Sequence, residues 1–112
     1  MRVKTREEGA VLVIDLSGKI QGPPDTEGFH DRIKELIDQG HRRVLINLKG
    51  VSWLSSLGLG MLLAARATII KAGGRMCLAH VTDRIESIFM VTETLNYFDC
   101  HETEDEALAA LR

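Results

Sequence analysis

Three short runs dominated by apolar residues, Ala10 to Leu16, Arg43 to Leu48 and Arg75 to His80, alternate with stretches whose apolar residues recur at helical spacing. That alternation restricts the fold more than any other feature. Apolar runs of this length read as strands covered on both faces, and strands alternating with helices build a sheet with crossover connections. The predicted class is α/β, a mixed sheet of four or five strands with about four helices. The 112 residues suffice for one domain, spanning positions 1–112, that buries roughly two thirds of the surface its unfolded chain exposes.

Turn signals place the elements. The first run is predicted to close at a Ser17-Gly18 turn, with Val3 to Thr5 as a short edge partner and Lys19 to Gln21 as a brief strand stopped by Gly22-Pro23-Pro24. A helix capped by Asp25 or Thr26 follows, with Phe29, Ile33, Leu36 and Ile37 at i, i+4, i+7 and i+8 and Gly40 at its end. A second helix begins near Ser56. At about 100° per residue, Met61, Leu62, Ala65, Ile69 and Ala72 share one side and Leu59, Leu63, Ala67 and Ile70 another. Arg66 and Lys71 flank the second set, so the first is assigned to the core. A third helix, capped by Thr82 or Asp83, carries Ile85, Ile88 and Phe89, and an extended piece near Tyr97 to Cys100 follows it. Thr103 and Glu106 have capping-box spacing before a last helix that buries Ala107, Leu108 and Leu111.

Several function classes are disfavoured. A net charge of -2, with basic residues not interleaved by aromatics, lacks the electrostatic footprint of a nucleic-acid binder. The longest apolar stretch, Leu57 to Ala65, is broken by glycines and falls short of the roughly 20 residues a membrane span needs, so direct membrane insertion is not expected. The N-terminal MRVKTREEGA has no apolar core of a signal peptide, and the expected location is the cytoplasm. Leu63 stands where the third glycine of a dinucleotide fingerprint belongs, no Gly-Lys-Ser/Thr ending is present, and His30, His41, His80 and His101 are scattered. Neither catalysis nor a cofactor is expected. Cys77, His80, Cys100 and His101 are zinc-ligand types, yet Cys77 and His80, three apart on a strand, point to opposite faces. They read as core cysteines and solvated histidines rather than a metal site.

The junction Val51 to Leu62, VSWLSSLGLGML, carries the functional signal. A strand that opens into a helix at Ser55-Ser56 sets two hydroxyls beside unpaired N–H groups and the positive end of a helix dipole, where a phosphate is tolerated. Together with VLVIDLSGKI near the start, RRVLINLKGVSWLSSLGLGML in the middle, AGGRMCLAHVTDRI further on and ETLNYFDCHETEDEALAAL at the end, this pattern resembles the sulfate transporter and anti-sigma factor antagonist (STAS) domain over nearly the whole chain. As a free-standing chain it looks like a bacterial anti-sigma factor antagonist. The resemblance implies a non-catalytic signalling protein in transcription regulation, whose partner is an anti-sigma factor or related serine kinase and whose switch is phosphorylation of one serine. Similar free-standing domains also serve in stressosomes and as subunits of lipid-trafficking ABC transporters, and the resemblance leaves those contexts open.

The family's switch motif, Asp-Ser-Ser or Asp-Ser-Thr followed by Gly-Leu-Gly, falls without a gap on Ser55, Ser56, Leu57, Gly58, Leu59 and Gly60. Ser55 replaces the aspartate, Ser56 matches the first hydroxyl, and Leu57 occupies the slot of the phosphorylated residue. Leucine accepts no phosphate. Three readings stay open. In one, the docking surface persists without this switch, with Leu57, Leu59, Leu63 and Ile70 as an exposed apolar patch that takes in Ala67 and is rimmed by Arg66 and Lys71. In another, the kinase modifies Ser56 or Ser55. In the third, the serines only cap the helix and function lies elsewhere.

Overall fold

A computed structural model describes residues 1–112. The chain forms strands β1 (Arg2–Glu8), β2 (Val11–Ile20), β3 (Arg43–Leu54), β4 (Arg75–Ala79) and β5 (Cys100–His101), and helices α1 (Asp25–Asp38), α2 (Ser56–Lys71), α3 (Asp83–Val91) and α4 (Glu104–Leu111). The five strands lie in sequence order in one sheet. β1 pairs antiparallel with β2, and every later pair is parallel, so the sheet is mixed as predicted.

Side-chain alternation divides the interior into two layers. Leu12, Ile14, Leu16, Val44, Ile46, Leu48, Met76 and Leu78 face α1, α2 and α3, meeting Phe29, Ile33, Leu62, Ile69, Ile85 and Phe89. The intervening residues Val11, Val13, Leu45, Cys77 and Ala79 face α4 through Ala107, Leu108 and Leu111. Both faces of the central strands are covered, which is why their sequences read as unbroken apolar runs.

Three local expectations are corrected. Ser17-Gly18 is not a turn: β2 runs through it, and register shifts against β3 absorb the irregularity. Backbone approach there is close, since a Cβ on Gly50 would lie 2.7 Å from that of Ser17. Neither Asp25 nor Thr26 caps α1; Pro24 is the N-cap and makes no side-chain bond, while the Asp25 carboxylate is drawn to the Met1 ammonium at 3.2 Å. The extended piece expected near Tyr97 to Cys100 starts later: Leu95–Tyr97 is a 3-10 turn, Phe98 is extended and Cys100 opens β5.

The predicted caps elsewhere are present. The hydroxyls of Thr82 and Thr103 accept from the N–H groups of Ile85 and Glu106. Gly40 and Gly73 take positive φ after α1 and α2, and the paired bonds Gly73 to Ile70 and Gly74 to Ile69 close a Schellman motif. Glu93 holds the same position after α3 at φ 59°. A left-handed backbone costs a residue bearing Cβ about 1–2 kcal/mol, more than the added unfolded-state entropy of glycine. Glu93→Gly should therefore raise the unfolding free energy by roughly 0.5 to 1 kcal/mol in urea titration.

Both sheet edges are protected. β1 carries Arg2, Lys4, Arg6, Glu7 and Glu8, and Arg6 is bound by Asp15 at 2.9 Å and by Glu104 of α4. These bonds, Asp15's first, raise the Arg6 guanidinium above its ordinary range. β5 is only two residues long.

Candidate protein-docking site

The end of β3 and the start of α2 form the serine junction. Ser55 is the N-cap, in extended conformation, and its hydroxyl is engaged twice: it accepts from the Gly58 N–H at 3.1 Å and donates to the carbonyl of Gln21. Its own N–H donates to the Ile20 carbonyl at 2.9 Å. One residue thereby fastens the first turn of α2 to the end of β2. Gly58 completes the seat, because a Cβ there would meet Ile20 and Leu54 at 2.8 and 2.7 Å.

Two side chains are left presented to solvent on this fixed turn. Ser56 is exposed and its hydroxyl makes no hydrogen bond within the chain. Leu57 is 58% exposed and lies over Gly22, where a Cβ would come within 2.9 Å of its Cδ1. Acidic residues occupy the first turns of α1, α3 and α4 but not that of α2. Its positive end is not compensated within the helix.

The expected single apolar patch does not form. Leu59 is only 6% exposed and belongs to the main core, as does the buried Gly58. The contact of Gly58 with Ile20 and Leu54 presses the first turn onto the sheet and widens the buried stripe there to include Leu59, which narrows to Ala65 and Ile69 further along. Leu63 is half-buried against the same core. Ile70, 45% exposed, lies thirteen residues after Leu57, about 140° away around the helix at 100° per residue. The two leucine-type anchors thus sit at opposite borders of the solvent face. Between them lie Gly60, Ala67 and Lys71, all exposed, while Arg66 is half-buried. Arg66 and Ile70 also line a groove of about 480 Å³ shared with Arg75 and Tyr97.

Sequence reasoning missed an exposed aromatic near the end of β3. Trp53 is 46% exposed and, with Lys19, Gln21, Ser52 and Arg84, lines a cleft of about 390 Å³. Arg84 donates to the Ser52 carbonyl at 3.3 Å. Gln21 links this cleft to the turn, since its carbonyl holds Ser55. The signal available was the pattern Val51, Ser52, Trp53, Leu54, which departs from strict alternation by leaving two successive residues exposed.

This geometry suits docking of another protein: a rigid turn, an apolar tip, an exposed aromatic and a helix face of small residues. The profile of the STAS domain family matches residues 2–107, and the chain belongs to that family. Over all 112 residues, and 96% of the relative, it is 21% identical to BtrV of Bordetella bronchiseptica, whose assigned role is anti-sigma factor antagonist. The fold is similar to that of the anti-sigma factor antagonist SpoIIAA in its unphosphorylated form, with a TM-score of 0.82 and 21% identity over 99% of this chain and 96% of that one. For the phosphorylated form of SpoIIAA, a Bacillus cell fate determinant, the TM-score is 0.75 at 21% identity, covering 99% of this chain and 100% of that one. A Thermotoga maritima protein described as an anti-sigma factor antagonist gives 0.86 at 18% identity over 98% and 94%. No helix is long and apolar enough to cross a membrane.

Proposed function

We propose that the chain is a non-catalytic, cytoplasmic signalling module that binds an anti-sigma factor of the serine-kinase type through the Ser55 to Gly60 turn and the solvent face of α2. Leu57 replaces the usual phosphoacceptor, so binding is constitutive with respect to that position. The observation that carries this reading is Leu57 itself, an apolar side chain held 58% exposed on a turn that Ser55 and Gly58 immobilise. Such a tip has little packing role in its own domain, and a central apolar anchor in a dry interface can dominate affinity. The similarity to proteins named as anti-sigma factor antagonists supports the choice of partner.

Titration against the anti-sigma factors of the source cell, with and without ATP, tests the reading. Wild-type affinity should be indifferent to ATP, whereas Leu57→Ser should bind without ATP and lose affinity with it. Wild-type protein that binds none of them overturns the reading.

A second reading is favoured by Ser56, whose free, exposed hydroxyl contrasts with the doubly bound, half-buried one of Ser55. Phosphorylation there adds about two negative charges to the docking surface and repels an acidic or apolar partner. Intact-mass analysis after incubation with kinase and ATP separates the two: no added phosphate under the first reading, one phosphate mapping to Ser56 under the second.

A further inference from the structure

On the opposite side of the sheet from α2, the structure assembles a cluster that sequence spacing had concealed. Asp99 and His101 flank Cys100 at i and i+2, so their side chains share the face that Cys100 does not. Leu78 of β4 pairs with Cys100, which brings Cys77 beside Asp99 and Ala79 beside His101. A thiol, a carboxylate and an imidazole nitrogen consequently lie within 4.8 Å of one another. Cys77 Sγ is 3.1 Å from one oxygen of Asp99, and His101 Nε2 is 2.9 Å from the other.

His101 Nε2 is inaccessible to solvent and, despite its short approach to Asp99, is not aligned for a hydrogen bond with any partner. A buried ring nitrogen of this kind is short of one strong interaction. We propose that Cys77, Asp99 and His101 form a binding site for a divalent transition metal of borderline softness, with zinc the best match. A thiolate, a carboxylate and a neutral imidazole together balance the charge of a dication, and all three are ordinary zinc ligands. Tetrahedral bonds of about 2.0 to 2.3 Å require donors roughly 3.3 to 3.8 Å apart, so the widest separation closes by roughly 1 Å. Asp99 is exposed and the fourth corner falls to water.

Burial first, and the hydrogen bond to Asp99 second, push the Cys77 thiol up to about 12, so without an ion it stays protonated. Coordination breaks the S–H bond, passes the proton to solvent and forms a metal–sulfur bond with no change of oxidation state. Bound metal would cross-link β4 to β5, which is otherwise held to it over only two residues.

Untagged, chelator-treated protein titrated with Co²⁺ provides the test. One equivalent should produce a thiolate-to-cobalt charge-transfer band and the intense visible bands of four-coordinate cobalt, both abolished by added Zn²⁺, and zinc should raise the melting temperature. Loss of a direct ligand in Cys77→Ala or His101→Gln should weaken binding by more than the roughly 10- to 100-fold that loss of a supporting partner costs. Cys100→Ser and His80→Ala should bind as wild type. His101→Gln alters a half-buried edge residue, so its circular dichroism shows whether the fold is kept. Absence of the charge-transfer band in wild type, its persistence in Cys77→Ala, or unchanged affinity in a folded His101→Gln overturns the proposal.

Discussion

Leu57→Ala is expected to leave the fold intact and to weaken partner binding by about 2 kcal/mol, roughly 30-fold. The fold should tolerate the change because the side chain is more than half exposed, and such surface substitutions usually move stability by no more than about 0.5 kcal/mol. Binding should not tolerate it, because the tip projects from a backbone that cannot retract: the Ser55 hydroxyl bridges Gln21 and Gly58 across its base. Calorimetric titration of the cognate partner measures the first quantity and urea unfolding the second. Equal affinity for the two proteins would place the anchor elsewhere on the surface.

Gly58→Ala and Gly60→Ala should act in opposite directions although they are two residues apart on one helix. At Gly58 the new Cβ would lie 2.8 Å from the Ile20 carbonyl oxygen and 2.7 Å from Leu54 Cδ1. A backbone oxygen cannot step aside as a flexible side chain can, so a cost of about 1–3 kcal/mol from overpacking outweighs the gain of up to about 1 kcal/mol in helix propensity. At Gly60 a Cβ meets nothing within 4 Å, and only the propensity gain applies. Chemical denaturation should show Gly58→Ala less stable and Gly60→Ala more stable than wild type. If a partner backbone approaches α2 closely, Gly60→Ala will also bind it more weakly while being the more stable protein, a separation no folding defect can mimic.

Most of the fold was legible because the buried strands and the amphipathic helices obey simple periods. Phe29, Ile33 and Leu36 are buried at their helical spacing, as are Met61, Leu62, Ala65 and Ile69. Caps at Thr82 and Thr103 were readable from local chemistry alone. What periodicity could not supply was contact between distant segments. Leu59 is buried because Gly58 seats the first turn on Ile20, a residue nearly forty positions earlier. Ser17-Gly18 looked like a turn because the register shift that carries β2 through it exists only once β3 is alongside. The exposed tip at Ser56 and Leu57 could be placed from the junction, but Trp53 and the cluster around Cys77 depend on which strands become neighbours.

The two sheet edges bear on how any partner must engage this domain. One margin is a row of charged residues tied back to α4, and the other offers two residues of backbone. Neither suits a visiting strand, so augmentation of the sheet is closed as a mode of association. On the reading proposed above, recognition falls to side chains on a helical surface rather than to a ladder of main-chain bonds, and specificity in such a contact is open to change by single substitutions.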